Sequence, residues 1–211
     1  METKELKILG KRDSVITMIL DNLESTNNFP LINIINNLNL PDEYPFYNEK
    51  FNITLSEELK NYDNCALGVI NPVFKKKIVN LFGIELSYFI NIINEHVSMS
   101  STSKIGKGCL INSMVSVAAH TVIGNFVTIN RNSSIGHHSI INDFVTINPG
   151  VNVAGHCNIG EGTTLGMGVN VLDGVTIGNN TIIGSGSLVT KNIPDNVVAY
   201  GSPCKIIRDN V

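Results

Sequence analysis

Four of the five histidines fall close together in the chain: His120, His137, His138 and His156. Imidazole is the side chain best suited to taking up and returning a proton near neutral pH. The adjacent pair His137-His138 therefore concentrates acid–base capacity at one point. His120, His138 and His156 are spaced eighteen residues apart, and His137 stands one position before the middle member. Asp143 and Glu161 share the same spacing and read as solvated turn residues. A further cluster of polar residues, Gly10-Lys11-Arg12-Asp13-Ser14, follows the first predicted strand. Lys11 and Arg12 there could meet a pyrophosphate at a helix N-terminus, where backbone N–H groups and the helix dipole favour an anion.

The spacing of eighteen is explained by the elements that carry the histidines. From Ile105 to Val189 every sixth residue is aliphatic, fifteen positions without exception. Two residues before each stands a small or slender side chain, among them Cys109, Thr121, Ser133, Ser139, Cys157 and Ser187. Gly often follows the aliphatic residue, where it would tolerate the positive φ of a sharp turn. A period of six is the signature of a hexapeptide-repeat parallel β-helix. Three hexads close one triangular coil, so fifteen give five coils and a column about 24 Å tall. The three inner faces are then 105/123/141/159/177, 111/129/147/165/183 and 117/135/153/171/189. At about 2 kcal/mol per buried aliphatic side chain this core supplies roughly 30 kcal/mol gross, before chain entropy. His120, His138 and His156 are placed on one edge of the prism, with His137 beside the middle rung and Gly155 one coil above it.

The first hundred residues differ in texture. Lys7–Leu9, Leu31–Ile35 and Ala66–Ile70 read as strands. Ser14–Leu23 reads as a helix with Val15, Met18 and Ile19 on its apolar face and Asp13 or Ser14 as cap. Asn71-Pro72 opens a second helix running to about Phe82, with Pro at its first position. A loop holds Pro41 and Pro45, and Ser56–Lys60 reads as a short helix. Leu86–Ile93 leads into the prism. Alternating strands and helices point to a small parallel sheet, half of a doubly wound, Rossmann-like α/β domain, whose ligands lie at the carboxyl ends of the strands. The first turn has one Gly and lacks a GxGxxG fingerprint. The expected organisation is an α/β domain over 1–97 and a β-helix over 98–211, with a C-terminal closing segment.

Composition narrows the setting. The 211 residues carry a net charge of −3 with no basic block, which argues against a nucleic-acid partner. No apolar stretch reaches membrane-spanning length. Cys65, Cys109, Cys157 and Cys204 show no CxxC spacing and read as core thiols in a reducing cytoplasm.

Three segments make the chain resemble a known family. They are Ile135-Gly-His137-His138-Ser-Ile-Ile-Asn-Asp143-Phe144, Val153-Ala-Gly155-His-Cys-Asn-Ile-Gly160 and Val198-Ala-Tyr-Gly201-Ser-Pro203-Cys-Lys205. With the two-domain layout, they resemble the bacterial left-handed β-helix sugar acetyltransferases. Within these, the nucleotide-amino-sugar N-acetyltransferases, grouped by name with sialic acid O-acetyltransferases, are most similar. The resemblance implies a left-handed prism and a homotrimer with acetyl-CoA in the groove between neighbouring prisms. It implies His137 as general base, with His138 beside it, and the Gly155 N–H at the thioester oxygen. Asn130 is implied at the sugar, Met167 and Ser185 along the pantetheine groove, and Pro203 and Lys205 toward the adenosine end. The implied reaction is acetyl transfer from acetyl-CoA to a nucleotide-linked amino sugar for surface glycan synthesis, with no metal cofactor. Two positions depart from the family pattern. His138 stands where an Asp or Glu is usual, and the first turn lacks the family's Gly-x-x-Gly-His character. Alternative readings are transfer to a sugar or sialic acid hydroxyl, a non-catalytic trimeric scaffold, and a γ-type carbonic anhydrase. The last would draw zinc ligands from His120 and His156, with Glu161 where a third histidine belongs.

Overall fold

The computed structural model describes residues 4–24, 29–36, 50–59 and 62–210. Pro41, Pro45 and Lys60 lie outside them. The chain first builds a four-stranded parallel sheet in the order β3-β2-β1-β4. Its strands are β1 (Glu5–Leu9), β2 (Leu31–Ile35), β3 (Asn52–Ser56) and β4 (Cys65–Leu67). Helices α1 (Asp13–Leu23) and α2 (Pro72–Phe82) complete the unit. Strand β3 corrects the expected helix at Ser56–Lys60. Its half-exposed alternation (Ile53 inward, Asn52, Thr54-Leu55 outward) suits an edge strand, where one face stays in water. The β4 strand is shorter than Ala66–Ile70 because Gly68 leaves the ladder and packs against Gly10. A Cβ on Gly68 would lie 1.9 Å from the Gly10 carbonyl oxygen.

Both helices start where the sequence suggests, by different means. Asn71 caps α2 by accepting hydrogen bonds from the Val73 and Phe74 N–H groups, and Gly83 ends it at φ 56°. The α1 cap position is instead Arg12, without a side-chain cap bond, so neither Asp13 nor Ser14 plays that part. The α1 helix is held by burial of Val15, Ile16, Ile19, Leu20 and Leu23.

A left-handed parallel β-helix follows. Its three faces carry the predicted register: Ile123 pairs with Ile105 and Ile141, Ile129 with Ile111 and Ile147, and Ile135 with Val117 and Val153. Two further strands precede the predicted set, Ile92–Ile93 and Ser98–Met99, which pair with Leu110–Ile111 and Ser116–Val117. The repeat thus starts ahead of the expected 97/98 boundary; Met99 at an inward position had hidden that hexad. The inward aliphatics are buried from Ile111 onward, with Ile105 partly covered.

The positive φ falls elsewhere than the sequence suggests. Residues at a spacing of six from Gly108 to Gly186, fourteen in all, have φ between 48° and 71°. These lie three residues after each aliphatic position, not one. Gly directly after the aliphatic residue serves close approach instead: a Cβ on Gly136 would lie 2.4 Å from the Ala154 carbonyl carbon one coil above.

The column has three corners. Lys107, Asn125, Asp143, Glu161 and Asn179 stack on the first, Ser113, Arg131, Pro149, Met167 and Ser185 on the second, and Ala119, His137, Gly155 and Asp173 on the third. On the first corner Asp143 accepts a hydrogen bond from the Asn125 N–H at 2.7 Å, and Glu161 pairs with Lys76 at 2.7 Å. Asp143 is thus part-buried and more than a solvated turn residue, whereas Glu161 remains an exposed turn residue that also pairs with Lys76. An antiparallel hairpin, Val197–Gly201 with Cys204–Asp209, continues the sheet between the first two corners.

The N-terminal unit docks on that same sheet. The fully buried Lys75 ammonium donates to the Phe126 carbonyl (2.9 Å), the Val145 carbonyl (3.3 Å) and Thr146 Oγ1 (3.1 Å). Asn22 of α1 donates to Asn112, Asn112 to Asn130, and Asn94 to Asn22, at 2.7–3.0 Å. Phe126 and Phe144 stack 5.0 Å apart, and Phe89 meets Phe126 edge-on. Cys65, Cys109, Cys157 and Cys204 are all free thiols, and burial pushes Cys65 and Cys109 up to about 11.

Burial pulls the Lys75 ammonium down from 10.5 to about 7. Between those values the unfolded chain binds more protons than the folded one, so this group makes stability rise with pH across the window. Lys75→Met should destabilise the protein by about 1–3 kcal/mol, chiefly through the buried Phe126 carbonyl left without a donor. Thermal denaturation should show the wild-type advantage over this variant widening from pH 7 toward pH 10; a constant gap would refute the assignment.

Candidate functional site

The third corner brings the predicted histidines together. His120, His138 and His156 each sit in the left-handed conformation, φ 55–58°. Their rings form a ladder, with centroids 4.8 Å apart for His120–His138 and 5.1 Å for His138–His156. His137 stands edge-on to both His138 and His156, at 5.3 and 5.0 Å. Backbone bonds lock the rungs: the His138 N–H donates to the Ala119 carbonyl and the His156 N–H to the His137 carbonyl.

His137 Nδ1 and His138 Nδ1 lie 3.1 Å apart. Such a contact requires one ring to donate and the other to accept. Desolvation, with repulsion from His120, His156 and His137, holds the His138 imidazole below its ordinary value. A neutral His138 accepting from His137 Nδ1–H leaves the lone pair of His137 on Nε2. Of the two arrangements this contact allows, that one makes Nε2 the proton acceptor.

Gly155 creates the space around this atom. A Cβ there would lie 2.9 Å from His137 Nε2, 2.7 Å from its Cε1 and 2.9 Å from Asp173 Oδ1. The imidazole and the Asp173 carboxylate thus face one gap that only a glycine leaves open. Sequence reasoning missed Asp173, although its place two coils above His137 follows from the same spacing of eighteen.

The remaining candidates are distributed over the molecule. Met167 and Ser185 are exposed on the second corner, where the Gly186 N–H donates to the Met167 carbonyl. A single face, six residues wide and at most about 20 Å across, separates that corner from His137. Pro203, after a cis peptide bond, and Lys205 are exposed on the closing hairpin. Asn130 does not reach the histidines. It is buried on the docking side, accepting from Asn112 and donating to the Ile147 carbonyl, and so presents no surface to a sugar within the chain. Lys11 is fully buried, with its ammonium 3.6 Å from Asp13, so it is no surface anion receptor. Arg12 does line a cleft of about 520 Å³ with Ser14, Val69, Asn71, Phe74 and Lys77. This cleft lies at the carboxyl ends of β1 and β4, where the strand order reverses, the usual ligand position in such sheets. The zinc arrangement of a carbonic anhydrase is not formed: Glu161 sits on the first corner with Lys76, away from His120 and His156.

Residues 156–191 match the family model "Bacterial transferase hexapeptide (six repeats)". No curated protein matches the sequence. Among solved structures, a His-to-Asn variant of perosamine N-acetyltransferase from Caulobacter crescentus, in complex with CoA and GDP-perosamine, is 22% identical. It superposes with a TM-score of 0.83, covering 98% of each chain. The chain shares that protein's fold, a small α/β unit followed by a left-handed parallel β-helix. The acetyltransferase domain of PglB from Neisseria gonorrhoeae, in complex with acetyl coenzyme A, gives 0.82 at 20% identity over 97% of this chain and 100% of that one. WeeI from Acinetobacter baumannii gives 0.77 at 19% identity over 97% and 100%. No helix among the described residues is long and apolar enough to cross a membrane.

Filling the gap at residue 155 tests its role. Gly155→Ala places a methyl group against His137 and Asp173, and the backbone there has ordinary φ. Circular dichroism should stay native, while the NMR chemical shifts of the His137 ring protons move as the ring is displaced. Unchanged ring resonances would show that the gap does not position the imidazole.

Proposed function

We propose that the protein is an acetyl-CoA-dependent N-acetyltransferase acting on a nucleotide-linked amino sugar. The observation that carries this reading is the His137–His138 contact beside the opening at Gly155. In the reaction, the sugar amine attacks the thioester carbonyl while His137 Nε2 takes the amine proton. The C–S bond then breaks, and the thiol leaves with a returned proton. Donation from His137 Nδ1 to His138 fixes the tautomer, and the Gly155 N–H stabilises the developing oxyanion. Asp173 supplies the negative charge that the residue after the base does not.

The fold supports a site shared between subunits. Arg12, Ser14 and Lys77 line the cleft on the docking side of the column, opposite the corner that carries His137. Met167 and Ser185 occupy yet another corner. One chain therefore cannot bring nucleotide cleft, base and donor groove together. A ring of three prisms, each presenting its histidine corner to the next subunit, completes the arrangement. In it, acetyl-CoA runs past Met167 and Ser185 toward Pro203 and Lys205, and Arg12 with Lys77 meets the nucleotide phosphates. The capture of GDP-perosamine with CoA by a protein of the same fold supports a nucleotide-amino-sugar acceptor.

Thiol release from acetyl-CoA, assayed against a panel of nucleotide-linked amino sugars, tests the reading. His137→Ala should lower turnover about 10²–10⁴-fold with folding unchanged, and near-full activity would sink the assignment. Co-refolding His137→Ala with Met167→Arg chains should restore part of the activity that each lacks alone. No recovery in mixed oligomers would argue for a site within one chain.

A further inference from the structure

We infer that His137, His138 and His156 form a binding site for a divalent transition metal ion such as Zn²⁺, and that the bound ion switches off the general base. The switching clause rests on the reading of His137 as that base; the site itself does not. One ring nitrogen from each of the three side chains lies within 4.8 Å of the others, and all three are exposed. Zn–N bonds are about 2.0–2.1 Å, so two imidazole nitrogens on one tetrahedral ion stand roughly 3.3 Å apart. The His137 and His138 Nδ1 atoms are already 3.1 Å apart. His156 has only to swing its exposed ring inward. Its backbone is fixed to the His137 carbonyl, so the ion needs no movement of the column. Three neutral imidazoles suit zinc, copper, nickel or cobalt and leave a fourth position for water. They are unsuited to magnesium or calcium, which require oxygen ligands.

The consequence for the base follows from imidazole chemistry. A ring bound to metal through Nδ1 carries its proton on Nε2. His137 then has no lone pair to receive the amine proton. Occupancy also removes the hydrogen bond from His137 to His138 that orients the ring. No bond is made or broken beyond coordination, and chelation reverses it.

The test uses Zn²⁺ alone on the full chain by isothermal titration calorimetry, with Co²⁺ absorption spectra as a report on nitrogen coordination. Expected is one ion per chain in the micromolar range, weakened at least about tenfold in His156→Asn. Asn tolerates the left-handed backbone at 156, and circular dichroism checks that the variant is folded. His120→Asn lies outside the group and should bind as wild type. Absence of binding, or equal affinity in His156→Asn and wild type, overturns the site whatever the protein's reaction. In the thiol-release assay, Zn²⁺ should inhibit wild type, EDTA should restore it, and His156→Asn should be active and resistant. A zinc-loaded wild type that turns over at full rate overturns the switch. A protein that binds zinc but acetylates nothing leaves the site standing and refutes the proposed function.

Discussion

From Gly108 to Gly186 every corner of the column turns on one residue held at positive φ, and the placement of the candidate functional groups on the column depends on that turn recurring each sixth residue. For side chains other than glycine this conformation costs about 1–2 kcal/mol each. The chain meets the requirement with Gly or Asn at many corners, but with His, Phe and Met at others. Where the departure is to Phe or His, the side chain has a second task. Phe126 and Phe144 stack on each other and cover the docking face of the N-terminal unit. His120, His138 and His156 build the imidazole ladder. Because strand pairing fixes the coil register, a substitution at one corner is displayed at a known height and direction.

This regularity explains how much could be read in the sequence. The inward aliphatics, the three faces, the histidine ladder and the position of Gly155 over His137 all follow from counting in sixes and eighteens. The corner conformation did not follow, because Gly is frequent at two positions of the hexad for different reasons. One relieves backbone strain, and the other permits the next coil to approach. The early hexads at Ile93 and Met99 were masked by irregular neighbours. Strand β3 was missed because an edge strand shows little apolar content. Asn130 was misplaced because its burial is created by partners distant in sequence, Asn112 and through it Asn22, and Lys11 because its ammonium turns inward beside Asp13 instead of outward to solvent. Asp173 was passed over because acidic residues are common in turns.

The two units meet through polar groups as much as apolar ones. Lys75 places an amine among three oxygen acceptors, and Asn22, Asn94, Asn112 and Asn130 form a buried amide chain from α1 into the first coils. Such networks demand specific geometry, since a misdocked unit would leave amides and carbonyls without partners. They hold the cleft of Arg12 and Lys77 on the side away from His137. The same contacts that make one chain rigid also keep its two candidate subsites apart.

The closing hairpin has a meaning beyond its place near the donor groove. A stack of parallel strands ends in open backbone groups that another column could join, and repetition of that joining would draw the protein into fibres. Here the first coil is covered by the N-terminal unit, with Ile92 and Leu110 packed into its core. At the far end the chain reverses, so the outermost strand runs antiparallel and carries Lys205, Arg208 and Asp209. A further column arriving there would meet charge and the wrong strand direction. End-on addition is thus blocked at this sheet, whose last strand is the hairpin's own.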